Sequence, residues 1–199
     1  MQDKFFHVRA SFTQPVPDDW RTQLVSLMGS RPRRLSTWCE LGLFGAFTCL
    51  HAHFLALGKQ EISSDIPIKL VTQKGSIVAS QKAIAQMREG LPMPFTFMQT
   101  QTGQLFNALG SALGWHGDGV TTAASNTHIG EVALLASLKC SSLFACVDDV
   151  PTPVSEWIWL EPVGALDELE WLALDSLFAV KPSTQWLKLD GQQRLFQAE

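Results

Sequence analysis

The sequence carries little charge, which limits the partners it can have. Charged residues make up 17% of its 199 residues, and 19 acidic against 15 basic side chains give a formal net charge of −4. A nucleic-acid-binding domain needs a basic surface, so this balance argues against a general nucleic-acid binder. Hydrophobic residues make up 46%, an ordinary value for a globular protein, and we expect one domain spanning 1–199.

Long apolar segments and closely paired cysteines are also missing. The longest apolar stretch, from Leu41 to Leu57, is interrupted by glycine, threonine and histidine and is too short for a membrane span. No apolar run follows a basic start, so the sequence predicts no signal peptide. The four cysteines have no C-x-x-C spacing, which predicts reduced, buried thiols in a cytoplasmic protein. They are Cys39, Cys49, Cys140 and Cys146.

One stretch, from Pro94 to Ala136, predicts a site for reactive groups. A helix with one apolar face is expected from about Thr96 to Leu113, and the glycine-rich turn Gly114 to Gly119 ends it. The β-branched run from Val120 to Thr122 predicts a strand, and small residues lead from it into a second helix that begins near Gly130. Backbone N–H groups at a helix N-terminus are unpaired and favour negative charge, so α/β proteins place reactive groups there.

Strands and helices alternate along the rest of the chain, which predicts an α/β layered sheet. The centre of the predicted helix Arg33–Leu57 is apolar nearly all round, as is typical of a helix buried between layers. The segment from Thr152 to Leu169 is expected to be irregular. The predicted strands are Phe5–Phe12, Ile66–Thr72, Ser141–Val147 and Glu170–Val180, with an edge strand at Trp186–Leu189, and the predicted helices are Trp20–Met28, Arg33–Leu57 and Ile77–Glu89.

This series of elements resembles the N-terminal half of the β-ketoacyl synthases, in the thiolase-like superfamily. In that family an amphipathic helix ends in a glycine-containing turn, a strand follows, and an elbow carries a nucleophilic cysteine. The resemblance covers about Arg33 to Pro182, and Arg33-Arg34 matches a basic pair that ketosynthases carry before their buried helix. It implies one thiolase-type half, a five-stranded mixed sheet of order 3-2-1-4-5 between helices, with the fifth strand antiparallel.

The resemblance places the catalytic elbow at Ser125 and Asn126, where this chain has no cysteine. Alignment from the glycine-rich turn without a gap puts Asn126 at the nucleophile position, and a shift of one residue puts Ser125 there; the sequence does not decide between them. The family takes its acyl chain on a cysteine thiolate, and its two catalytic histidines come from a C-terminal half. This chain ends where that half would begin. The resemblance therefore implies a chain without condensing activity of its own, and without a cofactor.

Three functions remain open at this point. The leading one is a non-catalytic partner or scaffold subunit in fatty-acid or polyketide type biosynthesis, which binds acyl carrier protein, an acyl chain or a companion ketosynthase. The second is a serine-dependent acyl hydrolase or acyltransferase with Ser125 as nucleophile and His128 as base. If Ser125 and Asn126 only cap the following helix, this second function is excluded. The third is a plain structural dimer without an acyl ligand.

Two features bear on partners. Four arginines close together in the sequence would steer an acidic carrier protein to this chain, or else form a solvated helix start. They are Arg21, Arg31, Arg33 and Arg34. The helix Thr96–Leu113 and the strand after it would pair across a two-fold axis, so we expect a homodimer or a heteromer with a ketosynthase. His51 and His53 are two residues apart and diverge on a helix, and the sequence predicts no metal site.

Overall fold

The computed structural model describes residues 2–57, 64–91, 94–166 and 169–198, with the backbone alone for 53–57. The strands are β1 (Lys4–Phe12), β2 (Ile68–Thr72), β3 (Gly119–Ala123), β4 (Ser142–Asp148), β5 (Val154–Val163), β6 (Trp171–Leu174), β7 (Trp186–Leu189) and β8 (Leu195–Ala198). The helices are α1 (Trp20–Met28), α2 (Thr37–Leu57), α3 (Ile77–Arg88), α4 (Pro94–Gln99), α5 (Gly103–Leu113) and α6 (Thr127–Ala136). A 3₁₀ turn spans Leu177–Ala179.

The described strands form one mixed sheet in the order β3-β2-β4-β5-β1-β7-β8-β6. β2 is parallel to its neighbours β3 and β4, and every other neighbouring pair is antiparallel. The expected α/β sheet is therefore present, with eight strands rather than five.

The expected order 3-2-1-4-5 is wrong. β2 pairs directly with β4, with Ile68 opposite Leu143, and β1 lies on the far side of β5. Helical crossovers after β2 and β3 bring the three parallel strands side by side. A short connection follows β4, and β5 then pairs antiparallel with β4. β1 pairs with the other edge of β5.

The strand after β4 is antiparallel to it, as expected, but Val154–Val163 forms it and not Glu170–Val180. Ser155 and Trp157 face α2, whereas Ile158 faces the opposite side of the sheet, so both faces are buried and the alternation of apolar and polar residues is weak. The later segment holds the short β6 and the 3₁₀ turn, where Ser176 Oγ accepts a hydrogen bond from Phe178 N at 3.1 Å.

Three other boundaries differ from the prediction. The helix expected from Thr96 to Leu113 is divided into α4 and α5, because Thr100 Oγ1 and Thr100 N both donate to the Phe97 carbonyl. The long helix begins at Thr37 and not at Arg33, since Arg34 has a φ of 63° and Ser36 Oγ accepts from Cys39 N. β7 is an interior strand between β1 and β8, and β8 was not predicted.

Helices α1, α2 and α5 cover one face of the sheet, and α6 with the 3₁₀ turn covers the other. The prediction of a buried long helix is confirmed, since Trp38, Leu41 and Phe44 are at most 1% exposed. Ser155 Oγ donates to the Leu41 carbonyl at 2.6 Å, which draws α2 against β5. At Gly45 a Cβ atom would lie 2.3 Å from Ser155 Oγ, so only glycine permits this approach.

Candidate functional site

The predicted elbow follows the end of β3, at the open edge of the sheet. Ala124 N donates to the Thr72 carbonyl at 3.0 Å, which continues the pairing with β2 by one residue. Gln73 Nε2 donates to the Ser125 carbonyl at 2.9 Å. The backbone of the elbow is thus held by the end of β2 and the residue after it, while the Ser125 side chain is exposed.

Asn126 is the N-cap of α6. Its backbone is extended, with φ −114° and ψ 107°, and its Oδ1 accepts a hydrogen bond from His128 N at 3.0 Å. This contact satisfies one of the N–H groups that a helix leaves unpaired at its start. The structure therefore assigns the capping role to Asn126; it gives Ser125 an exposed position immediately before the cap.

His128 points at a buried carboxylate one turn along α6. Its Nδ1 atom lies 4.0 Å from Glu131 Oε2, a distance too long for a hydrogen bond. Glu131 is 1% exposed, and its Oε2 accepts from Leu177 N at 2.7 Å and from Ser176 Oγ at 3.1 Å. Glu131 thus joins α6 to the 3₁₀ turn. Sequence reasoning missed Glu131, although its spacing of three from His128 places both on one helix face.

A second carboxyl group faces the same layer from β5. Glu156 lies opposite Cys146 in the register of β4 and β5. Burial, together with the Glu131 carboxylate, raises the pKa of Glu156 to about 7. Burial also raises the pKa of the Cys146 thiol, and the charge on Glu156 adds to that effect. This environment keeps Cys146 protonated, and a protonated thiol is a poor nucleophile.

None of the other three cysteines stands at the predicted elbow. Cys39 and Cys49 are buried in α2, on the other face of the sheet, and burial raises the pKa of each thiol to about 12. Cys140 follows α6 and is exposed. All four cysteines are free thiols, and the prediction that they are buried is confirmed for Cys39, Cys49 and Cys146 but wrong for Cys140, which lies in the exposed connection after α6.

Asp148, at the end of β4, has a structural role. Asp148 accepts hydrogen bonds from Thr72 Oγ1, Gln73 N and Lys74 N, each at 2.8 Å. It thereby fixes the turn between β2 and α3 beside the elbow. Burial raises the pKa of the Asp149 carboxyl, and Asp148 adds to that shift. Over the described ranges, no group of three or more His, Cys, Asp or Glu side chains is placed to hold a metal ion.

Comparison with known proteins bears on the fold. No family model matches the sequence, and no curated protein matches it. Among solved structures, the chain is similar to one from the complex of the ketosynthase ApeO with its chain length factor ApeC, from Xenorhabdus doucetiae. The TM-score is 0.52 and the identity 15%, over 89% of this chain and 82% of that chain. The chain has a ketosynthase-like fold.

A second solved structure is a type II PKS acyl-carrier protein in complex with its ketosynthase bound to the hexaketide. Its TM-score is 0.47 and its identity 10%, over 88% of this chain and 70% of that chain. At that TM-score the likeness adds nothing to the first comparison.

The four arginines of the ketosynthase-like domain are divided between two places. Arg21 stacks on Trp20 at 4.4 Å and lies 3.4 Å from Glu40 Oε2. With Arg31 it lines an open cavity of about 320 Å³ between α1 and the start of α2. Arg34 stacks on Phe95 of α4 at 5.0 Å. Arg31, Arg33 and Arg34 are exposed, so their charges face solvent.

The interior of this ketosynthase-like domain contains a small apolar cavity on the α2 face. Leu50, Ile68, Leu109 and Trp157 are among its walls, and its volume is about 20 Å³. A cavity of that size has room for roughly one water molecule. An acyl chain therefore does not fit into this cavity. The cavity lies on the face of the sheet opposite α6.

The predicted contact helix has a role inside the chain. Leu105 and Leu109 of α5 are at most 1% exposed and pack in the core. At Gly110 a Cβ atom would lie 2.9 Å from the Trp115 carbonyl oxygen, so the small residue serves a contact within the chain. β3, in contrast, is exposed along its free edge, and Val120 is 43% exposed. No helix in the part of the chain that is described could span a membrane.

Proposed function

We propose that this chain is a non-catalytic companion subunit of a ketosynthase in fatty-acid or polyketide type biosynthesis. One observation carries the proposal: in this ketosynthase-like fold the predicted elbow, Ser125 and Asn126, holds no cysteine, and Asn126 caps α6. Condensation needs a group that is both a strong nucleophile and a good leaving group, which a thiolate is and an amide or a serine is not. The burial of Cys39, Cys49 and Cys146 supports the same proposal, because none of them is available as a substitute.

The open edge of β3 is the surface we assign to the companion subunit. β3 pairs with β2 on one side, and on its other side no strand of the described residues lies beside it. Such an edge is a template for another strand, and a partner that pairs there removes the edge. In the ApeO–ApeC structure a ketosynthase is in complex with its chain length factor. We propose a complex of the same kind, in which this chain takes the place of the chain length factor.

We assign the arginines at the start of α2 to an acyl carrier protein. The exposed side chains of Arg31, Arg33 and Arg34 provide positive charge on a chain of net charge −4, so they form a local site for an acidic surface. Charge complementarity of this kind increases the association rate more than it increases affinity. Binding at this site would therefore weaken as salt increases. Reduced thiols and a pathway of carrier-bound intermediates suit a cytoplasmic location.

The test is a condensation assay with three samples: this chain, a ketosynthase from the same organism, and the two purified together. Each sample receives malonyl and acyl carrier thioesters. We expect no β-ketoacyl product from this chain alone and product from the complex. Substitution of Val120→Lys with Thr122→Lys should separate the subunits, since edge lysines block strand pairing. Product from this chain alone would contradict the proposal.

A second function is favoured by the direction of the His128 side chain. Nδ1 of His128 faces the fixed carboxylate of Glu131, as the base faces its orienting acid in a serine hydrolase. Ser125 would then attack a thioester with His128 as base. A fluorophosphonate probe tests this: labelling that Ser125→Ala abolishes would favour the hydrolase, and absence of labelling would favour the companion subunit.

A further inference from the structure

A groove runs between α1 and α2, which lie side by side and point in the same direction. At their first turns, Arg21 Nη2 donates to Thr37 Oγ1 at 3.3 Å, and Arg21 Nε lies 3.4 Å from Glu40 Oε2. At their later turns, Met28 of α1 and Phe47 of α2 line one cavity. The groove therefore extends along roughly two turns of each helix, which is about 10 Å.

The segment that joins the two helices follows this groove. Because α1 and α2 point in the same direction, residues 29–36 return from the end of α1 to the start of α2. Pro32, in the middle of this segment, lines both the cavity of about 320 Å³ beside Arg21 and a second cavity of about 560 Å³ beside Phe47. The two cavities are therefore neighbouring parts of one groove, and they meet at the strap, as we call residues 29–36.

The second cavity is the apolar end of the groove. The large apolar side chains that leave part of their surface open to it are Leu27, Met28, Leu35 and Phe47. On α5 the cavity meets three small side chains, which lie three and four residues apart and so share one face of that helix. They are Ala108, Ser111 and Ala112. Larger residues there would fill the space; with small ones the cavity has the volume of a ligand pocket, about 300–1,000 Å³.

The first cavity is the charged end of the groove. Arg21 and Glu40 form an ion pair there, so their charges offset each other. Arg31 lines the same cavity and is exposed, and among the described residues it has no hydrogen bond, ion pair or ring contact. This end of the groove therefore has one positive charge that the described chain does not balance. A guanidinium group binds a carboxylate through two parallel hydrogen bonds, so Arg31 suits a carboxylate.

The charge and the shape of the groove together suit one class of small molecule. A carboxylate has a single negative charge and balances Arg31, whereas a phosphate monoester has a charge of about −1.5 to −2 at neutral pH and would leave negative charge beside Glu40. An apolar chain attached to the carboxylate would lie in the second cavity and remove Met28 and Phe47 from water, which is favourable. A free medium-chain fatty acid combines these two properties.

We infer that this groove binds an apolar monocarboxylate, with the carboxylate on Arg31 and the apolar chain in the cavity beside Phe47. The groove lies on the α2 face of the sheet, whereas α6, which Asn126 caps, covers the other face, so this site is separate from the predicted elbow. The inference goes beyond the proposed function and does not rest on it. Arg31 also belongs to the surface assigned to the carrier protein, and the test therefore contains no carrier protein.

Calorimetric titration of the chain with octanoate tests the inference through two pairs of variants. Ala112→Trp fills the apolar cavity, and Asn107→Trp places the same side chain at an exposed position of α5 outside that cavity. Arg31→Gln removes the unbalanced charge, and Arg88→Gln removes an exposed arginine at the end of α3. We expect Ala112→Trp and Arg31→Gln each to raise the Kd for octanoate by about tenfold, and both controls to leave it unchanged. Circular dichroism verifies that all four variants are folded.

Two ligands with the same chain and a different head group complete the test. Octan-1-ol should bind more weakly than octanoate, and Arg31→Gln should leave its Kd unchanged. Tighter binding of octyl phosphate than of octanoate would overturn the assignment to a carboxylate. Absence of octanoate binding at millimolar concentration, or equal binding by the unmodified chain and Ala112→Trp, would overturn the site itself. A homodimer that Ala112→Trp dissociates would overturn it in favour of a second copy of the chain in the groove.

Discussion

The side-chain oxygen of Asn126 accepts a hydrogen bond from the backbone N–H of His128 over 3.0 Å. Asn126, one of the two residues predicted to stand at the elbow, therefore holds the first turn of α6. Its neighbour Ser125 is exposed and lies one position before the cap. Asn126 therefore has a structural role that Ser125 does not share. Stability measurements on variants of the two residues can detect this difference.

Asn126→Ala should destabilise the chain by about 1 kcal/mol, because it leaves an N–H group of α6 without its cap. For a chain of this length that corresponds to a decrease in Tm of about 2–4 °C. Ser125→Ala should change the free energy of unfolding by less than about 0.5 kcal/mol, as expected for an exposed side chain. Differential scanning calorimetry of both variants checks this prediction, and a larger loss at Ser125 than at Asn126 would contradict it.

One thiol should react in the folded chain. Cys140 is exposed, whereas Cys39, Cys49 and Cys146 are buried, and burial raises the pKa of their thiols. Titration with 5,5′-dithiobis(2-nitrobenzoate) should therefore release about one equivalent from the native protein and about four from the denatured protein. Cys140→Ser should abolish the native reaction. Rapid reaction that persists in Cys140→Ser would reveal an accessible thiolate that this account does not include.

Glu156 should make stability decrease as pH rises. Burial raises its pKa from 4.5 to about 7, so the folded chain binds a proton more tightly than the unfolded chain. A group of this kind stabilises the fold when it is protonated, and its contribution is lost as pH increases from about 4.5 to about 7. Glu156→Gln removes the ionisable group, and urea unfolding at several pH values should show a weaker decline in that window.

Glu89, an exposed residue directly after α3, supplies the control for this experiment. Glu89→Gln should follow the pH profile of the unmodified chain, because its side chain is in solvent in both states. If Glu156→Gln also follows that profile, the partly buried carboxyl group does not titrate as described.

Glu131→Ala should loosen the attachment of the 3₁₀ turn to α6. The substitution removes the acceptor for Leu177 N and Ser176 Oγ, and it leaves a buried N–H group without a partner. An unpaired buried group costs about 1–3 kcal/mol. Hydrogen exchange at Leu177 should accelerate in the variant, together with a lower urea midpoint. Unchanged exchange at Leu177 would show that the carboxylate does not hold the turn.

Local patterns in the sequence predicted the elements that local physics determines. α1 has the predicted bounds, and the apolar surface of α2 predicted its burial between α1, α5 and the sheet. The small polar residues before α6 predicted a helix start, and Asn126 forms that cap. In each case a few neighbouring residues contain the information.

The sequence did not predict contacts between residues that lie far apart along the chain. β1 lies beside β5 because β5 offers a free edge, and no residue within Lys4–Phe12 encodes that choice. The contact between Glu131 and Leu177 joins residues 46 positions apart, so spacing along the sequence does not show it. β5 was missed because it is buried on both faces, which removes the alternation by which a half-buried strand is recognised.

Native mass spectrometry of this chain co-expressed with a ketosynthase from the same organism tests the central claim most directly. The account predicts a complex that contains both subunits in equal numbers, because β3 offers one free edge and one ketosynthase subunit can pair with it. Free chain and free ketosynthase as separate species, at micromolar concentrations of both, would contradict it.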